Sequence, residues 1–141
     1  MLGERYSHGH VFDFYKKLLA DPKHLHVLGN GKQRKSYLYV QDCIGAMLTT
    51  IEKAQNKVNI FNLGTDEYIT LDNSIQWISD YLGLNPKITY SGNDRGWIGD
   101  NPFIFLDCLQ IRELGWKPRL SIKEAVIKTI QYLQHSSHYK F

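Results

Sequence analysis

The sequence has only two cysteines, Cys43 and Cys108, and they do not form a Cys-x-x-Cys or similar pair. A disulfide scaffold or a structural zinc site needs more cysteines at closer spacing. We therefore predict two buried free thiols. Two His-x-His pairs, at residues 8–10 and 24–26, have no cysteine or carboxylate pattern beside them. We expect solvated histidines there and no metal site.

Long hydrophobic runs and a strong charge of one sign are also missing. No apolar run approaches the roughly 20 residues of a membrane span, and residues 1–10 lack the layout of a secretory signal. The 17 Lys and Arg against 14 Asp and Glu leave a net charge of +3, spread along the chain, which does not indicate nucleic-acid binding. We expect a cytoplasmic protein that contacts no membrane and no nucleic acid, and for which a small anionic ligand would suffice.

The 141 residues, 43% of them hydrophobic, are enough for one domain with its own core. Apolar residues at helical spacing predict helices at 10–20, from 42 to about 54, 71–82, 107–114 and after 121. Short β-branched and aromatic runs predict strands at 25–28, 37–40, 58–63, 87–90 and 103–106. This alternation predicts an α/β fold. Because such short strands make a thin sheet, we suspect a piece of a larger protein.

Local signals define several of these elements more closely. Thr70 can cap the helix that follows it, and Gly83 can end that helix. Ser121 and Glu124 have the spacing of a capping box. The helix from residue 42 has one apolar face, formed by Ile44, Met47, Leu48 and Ile51, and the run at 58–63 is typical of a buried strand.

The segment Leu25–Val40 places a loop of glycine, amide and cations between two predicted strands. Lys32, Arg34 and Lys35 lie in that loop with a pair of glycines, which let the main chain approach a ligand closely. A guanidinium and an ammonium can share the charge of a phosphate or diphosphate. The plainer alternative is a hairpin with a solvated cationic loop, and the segment by itself leaves both open.

Five segments occur in the order and spacing of a known family: Leu2–Val11, Val27–Asp42, Phe61–Thr65, Arg95–Asp100 and Leu114–Pro118. Together they resemble the C-terminal half of the extended short-chain dehydrogenases, in particular the NAD-dependent sugar-nucleotide epimerases and dehydratases, which include UDP-glucose 4-epimerase. Each segment alone is a weak signal, whereas the ordered set is a strong one.

In that family an N-terminal Rossmann half holds NAD and a catalytic Tyr-x-x-x-Lys pair. This sequence has no Gly-x-x-Gly-x-x-Gly, and none of its nine tyrosines is followed by lysine four positions later. The resemblance therefore implies a small substrate-binding lobe of short strands and about five helices, normally appended to a Rossmann domain. We expect residues 1–134 to form it, residues 135–141 to be a frayed tail, and this chain alone to hold no catalytic residue and no NAD.

The resemblance assigns candidate binding residues position by position. Val27 and Leu28 match the strand along the nucleotide base. The phosphate-binding arginine of the family falls on Lys35, and the next residue is Ser36 where the family has aspartate. Lysine keeps the charge but loses the bidentate fork of arginine. Neighbouring Arg34 could reach the phosphates instead, and we favour Lys35.

Three further candidates follow from the same resemblance. Arg95 would bind the diphosphate, with Asp100 nearby on a ribose hydroxyl or on an arginine. The backbone of Val11, at the start of the first helix, would approach the phosphates. The plainer alternatives are a surface ion pair for the two charged residues and a core position for the valine.

The resulting hypothesis is a substrate-binding domain that positions a nucleoside-diphosphate sugar, most simply a UDP-sugar, for hydride transfer to NAD in a full-length epimerase or dehydratase. One alternative is a non-catalytic module that binds nucleotide sugars. Another is an inert fragment that self-associates, for example as a homodimer, through surfaces meant for the other half.

Overall fold

The structure, a computed structural model, describes residues 1–92, 94, 96, 99 and 103–136. In them the helices are α1 (His10–Ala20), α2 (Val40–Lys53), α3 (Leu71–Leu82), α4 (Leu109–Glu113) and α5 (Ile122–His135). The strands are β1 (His24–Val27), β2 (Arg34–Lys35), β3 (Ile69–Thr70) and β4 (Lys87–Tyr90). The α/β class with five helices and short strands is confirmed.

The main core lies where α1, α3 and α5 pack against one another and α1 packs on β1. The apolar spacing of these helices produces this arrangement, since residues three and four apart share a face. The fully buried side chains include Leu18 of α1, Leu25 of β1, Ile78 of α3 and Ile130 of α5.

Both predicted capping signals are confirmed. Thr70 accepts a hydrogen bond from the amide of Asn73, and the Asn73 side chain accepts from the amide of Thr70. Ser121 and Glu124 make the same reciprocal pair at the start of α5. Gly83 ends α3 at φ 67°, a conformation that glycine adopts without steric cost. These local bonds fix the ends of two helices that form the core.

The strand predicted at residues 37–40 is wrong, and so is the hairpin alternative for residues 25–40. β1 instead pairs in parallel with β4, with Leu25 opposite Ile88. Residues 37–39 make only an isolated bridge, Leu2 with Tyr39, and Val40 already begins α2. The short β2 lies inside the predicted loop and pairs antiparallel with β3. No strand forms at 103–106.

The predicted apolar face of α2 is exposed to solvent. The helix buries Asp42, Cys43 and Ala46, whereas its apolar side chains are between 44% and 78% exposed: Ile44, Met47, Leu48 and Ile51. The buried strand predicted at 58–63 is also wrong, because no strand forms there and Val58 and Ile60 are largely exposed. Both α2 and residues 58–63 therefore present exposed apolar side chains.

A second, smaller core contains both cysteines, which are buried and free as predicted. Cys43 lies on α2, and Cys108 is the residue before α4. Trp116 is buried in the same core, and Arg112 lies over its indole ring at 4.9 Å. The helix α5 ends at His135, and residues 137–141 of the predicted tail lie outside the described residues. Among the helices of the described residues, none is long and apolar enough to cross a membrane.

Candidate functional site

A cavity of about 480 Å³ lies between the start of α1 and strand β2. This volume is within the range of roughly 300–1,000 Å³ that is usual for small-molecule sites. Its described walls carry three cations and one carboxylate, contributed by Lys17, Arg34, Lys35 and Asp13. Its apolar walls are Phe14, Leu28, Leu71 and Ile104. The cavity thus combines excess positive charge with apolar surface.

The cations predicted from the loop segment lie in different places. Arg34 and Lys35, the two residues of β2, both line the cavity. Lys32 does not, since its ammonium is 2.6 Å from the Asp72 carboxylate on α3. The same carboxylate accepts a hydrogen bond from Tyr90, and burial together with this bond raises the pKa of Tyr90 to about 12. Lys32 therefore belongs to a surface ion pair outside the cavity.

The two glycines of the loop are explained by the packing of the loop itself. Gly29 and Gly31 have φ of 91° and 77°. A Cβ on Gly29 would collide with the Gln33 side chain, and one on Gly31 would collide with Asp72. The amide of Gly29 donates to Ser91 Oγ at 2.7 Å. The expected close approach of this backbone to a ligand stays a prediction.

The N-terminus of α1 forms one wall of the cavity through Gly9 and His10. The first backbone bond of the helix runs from Asp13 N–H to Gly9 C=O, so the amides of His10 and Val11 have no carbonyl acceptor within the helix. The Val11 side chain is fully buried in the main core. Its position thus fits the core alternative, and the predicted backbone contact with phosphate remains untested.

His10 is a site residue that the sequence reasoning missed. Its Nε2 lies 2.8 Å from Ser74 Oγ, its ring stacks on Tyr37 at 4.8 Å, and it meets Phe14 edge-on. Burial, together with the nearby charge of Lys35, lowers the pKa of His10 to about 3. The ring is therefore neutral at physiological pH. The expected solvated state is therefore wrong for His10, whereas the exposed His24 beside Asp21 matches it.

The two residues predicted to contact the nucleotide base differ in their exposure. Leu28 is 49% exposed and lines the cavity, whereas Val27 is fully buried in the main core. Ser36 lines the cavity, and its hydroxyl donates to the carbonyl of Glu67 at 2.9 Å. Arg95 and Asp100 lie outside the described residues. The structure therefore brings Leu28, Arg34 and Lys35 together around one cavity.

A larger groove of about 980 Å³ lies between residues 53–62 and α4. Its charged walls are Asp107 and Glu113 against Lys53, and the Lys53 ammonium donates to the carbonyl of Leu114. An anion would meet two carboxylates there, so the smaller cavity suits an anionic ligand better. In the part of the chain that the structure describes, no group of histidine, cysteine, aspartate or glutamate could hold a metal ion.

The sequence model of the NAD dependent epimerase/dehydratase family matches residues 2–64. A crystal structure of a UDP-galactose 4-epimerase is 33% identical, with a TM-score of 0.79 over 94% of this chain. This chain is similar to the NAD-dependent epimerase/dehydratase family along nearly its whole length. The resemblance inferred from the ordered motifs is thereby confirmed.

Two other family members illustrate its range. A crystal structure of UDP-glucose 4-epimerase with UDP-glucose from Thermotoga maritima is 28% identical, has a TM-score of 0.79 and covers 94% of this chain and 42% of its own. The dTDP-D-glucose 4,6-dehydratase of Mus musculus is 25% identical over 135 residues, covering 91% of this chain and 37% of that protein. The chain thus spans about two fifths of the length of these family members.

Proposed function

We propose that this chain is the substrate-binding lobe of an NAD-dependent nucleoside-diphosphate-sugar epimerase or dehydratase. In this proposal the lobe binds and orients the sugar nucleotide, and a Rossmann half supplies NAD and the catalytic pair. The single observation that carries the proposal is the cationic cavity at the start of α1, which unites three of the predicted site residues.

The chemistry of the cavity supports a nucleoside diphosphate as the ligand. A diphosphate carries adjacent negative charges, which the Lys35 ammonium and the Arg34 guanidinium on its wall can bind. The N-terminal amides of α1 add a positive dipole end on the same wall. Leu28 and Ile104 offer apolar surface for a base or a ribose. A UDP-sugar is the natural choice, since a structural relative contains UDP-glucose.

The described residues do not form the kind of site that binds NAD. A dinucleotide site is built where a strand of a parallel sheet turns through a glycine-rich loop directly into a helix. Of the described strands only β1 and β4 are parallel, and β1 leads through residues 28–33 into the two-residue β2 rather than into a helix. We therefore assign NAD to another half of the enzyme. The exposed apolar side of α2 and residues 58–63 are the surface that we assign to contact with that half.

Two alternatives are retained because specific observations favour them. The cavity by itself is compatible with a module that binds nucleotide sugars without chemistry. The exposed apolar face of α2 is compatible with a chain that pairs with a second copy of itself.

Calorimetry with the 141-residue chain tests the binding proposal. We expect saturable binding of UDP and UDP-glucose, and an affinity about tenfold lower in Lys35→Gln, because one charged contact to phosphate is lost. Asp13→Asn is the matched control, since it removes the only described carboxylate of the same cavity and should not weaken binding. Absence of binding by any nucleotide, together with dimerisation that rises with concentration, would favour the self-association alternative.

A further inference from the structure

Three aromatic rings lie beside Arg34. Tyr68 meets Phe103 edge-on with centroids 5.2 Å apart, and Phe103 stacks on Phe105 at 5.9 Å. We call these three residues the aromatic cluster. Tyr68 is 52% exposed and Phe105 is 49% exposed, so the cluster lies on the surface of the protein rather than in its core.

The Arg34 side chain lies against two of these rings. Its guanidinium carbon is 4.4 Å from the centroid of Phe103 and 5.6 Å from that of Tyr68. Within the described residues the side chain makes no ion pair with a carboxylate. Contact with ring faces restricts a long side chain that would otherwise sample many rotamers, and leaves the N–H groups in the guanidinium plane available.

The aromatic cluster borders the cavity of the candidate site. Arg34 lines that cavity, and so does Ile104, which lies between Phe103 and Phe105 in the chain. The backbone of Arg34 is itself fixed, because β2 pairs Arg34 with Thr70 of β3. Arg34, a residue of the cavity wall, is therefore held both by the strand pairing of its backbone and by the ring contacts of its guanidinium.

We propose that Arg34 binds the diphosphate through its N–H fork, beside the single charge of Lys35, and that Tyr68 and Phe103 are positioning residues that hold Arg34 there. This inference rests on the proposed function and refines it. The family arginine aligns with Lys35, whose ammonium cannot form a bidentate pair. Arg34 supplies the fork from the neighbouring position, with the aromatic cluster fixing its direction.

The test measures UDP and UMP affinity by calorimetry for Arg34→Lys, Phe103→Leu and the double variant. We expect Arg34→Lys to bind UDP about tenfold more weakly, with a smaller loss for UMP. Phe103→Leu keeps the charge and should weaken UDP binding severalfold. In the Arg34→Lys background the Phe103→Leu change should have little further effect, because the ring acts through the guanidinium.

Lys32→Gln is the control, since it removes one charge from the same loop but from an ion pair outside the cavity. Its UDP affinity should match that of the unmodified chain. UDP binding to Arg34→Lys with the affinity of this control would overturn the inference while leaving the proposed function standing. No UDP binding by the unmodified chain would overturn both. Because Arg34 is exposed, Arg34→Lys should fold. Its UDP affinity therefore tests the inference even if Phe103→Leu does not fold.

Discussion

Replacing Asp42 by alanine is expected to lower the free energy of unfolding by about 3 kcal/mol. The Asp42 carboxylate is only 2% exposed and accepts hydrogen bonds from the amides of Arg119 at 3.1 Å and Leu120 at 3.2 Å. Without it, the two amides in front of α5 lose their acceptor at a partly buried position. Urea unfolding followed by circular dichroism measures the change.

Glu52→Ala on the same helix is the matched control, because Glu52 is exposed and its loss removes the same charge. Asp42→Asn should lie between the two, since its amide keeps one oxygen acceptor. Equal stability of Asp42→Ala and Glu52→Ala would contradict the anchoring role that we give to Asp42.

The neutral state of His10 is expected to make the fold sensitive to mild acid. The pKa of His10 is lowered to about 3 in the folded chain, whereas an unfolded histidine titrates near 6.5. Between these values the unfolded state binds the extra proton, so the stability that neutral His10 contributes is complete above pH 6.5 and falls as pH falls. The expected loss from this group is about 3 kcal/mol between pH 7 and pH 4.

Urea unfolding at several pH values, compared between the unmodified chain and His10→Gln, isolates this contribution. The variant should lose less stability than the unmodified chain over that pH interval. His24→Gln provides the control, because it makes the same replacement at an exposed histidine outside the cavity. A His10→Gln profile parallel to that of the unmodified chain would contradict the neutral, enclosed state of His10.

The helices could be predicted because their signals are local. Periodicity gave α1 with the observed bounds, and the caps at Thr70 and Ser121 fixed the starts of α3 and α5. Strand β4 also has the predicted bounds. For the helices, the deciding contacts lie within a few residues along the chain or in a buried face with clear spacing.

The strand errors come from pairing between distant segments. β1 pairs with β4 about sixty residues away, so the nearer run at 37–40 was the wrong partner. The apolar composition at 58–63 is typical of a strand, but no described strand pairs with it. Composition alone gives no pairing partner.

The site was predicted in part. The sequence singled out the cations of the loop, but only the structure separates Lys32, held by Asp72, from Arg34 and Lys35 on the cavity. His10 was missed because its partner Ser74 is 64 positions away. The aromatic cluster was missed for a similar reason, since Tyr68 and Phe103 meet only in the fold.

The most direct test of the central claim joins this chain to the Rossmann half of a UDP-glucose 4-epimerase, in place of that enzyme's own substrate-binding half. Binding of NAD and of UDP by the joined protein is measured first, and NAD-dependent conversion of UDP-sugars second. We predict that the joined protein turns over a UDP-sugar and that the Rossmann half alone does not. A joined protein that binds both NAD and UDP but converts no nucleotide sugar would contradict the assignment of this chain as the substrate-binding lobe.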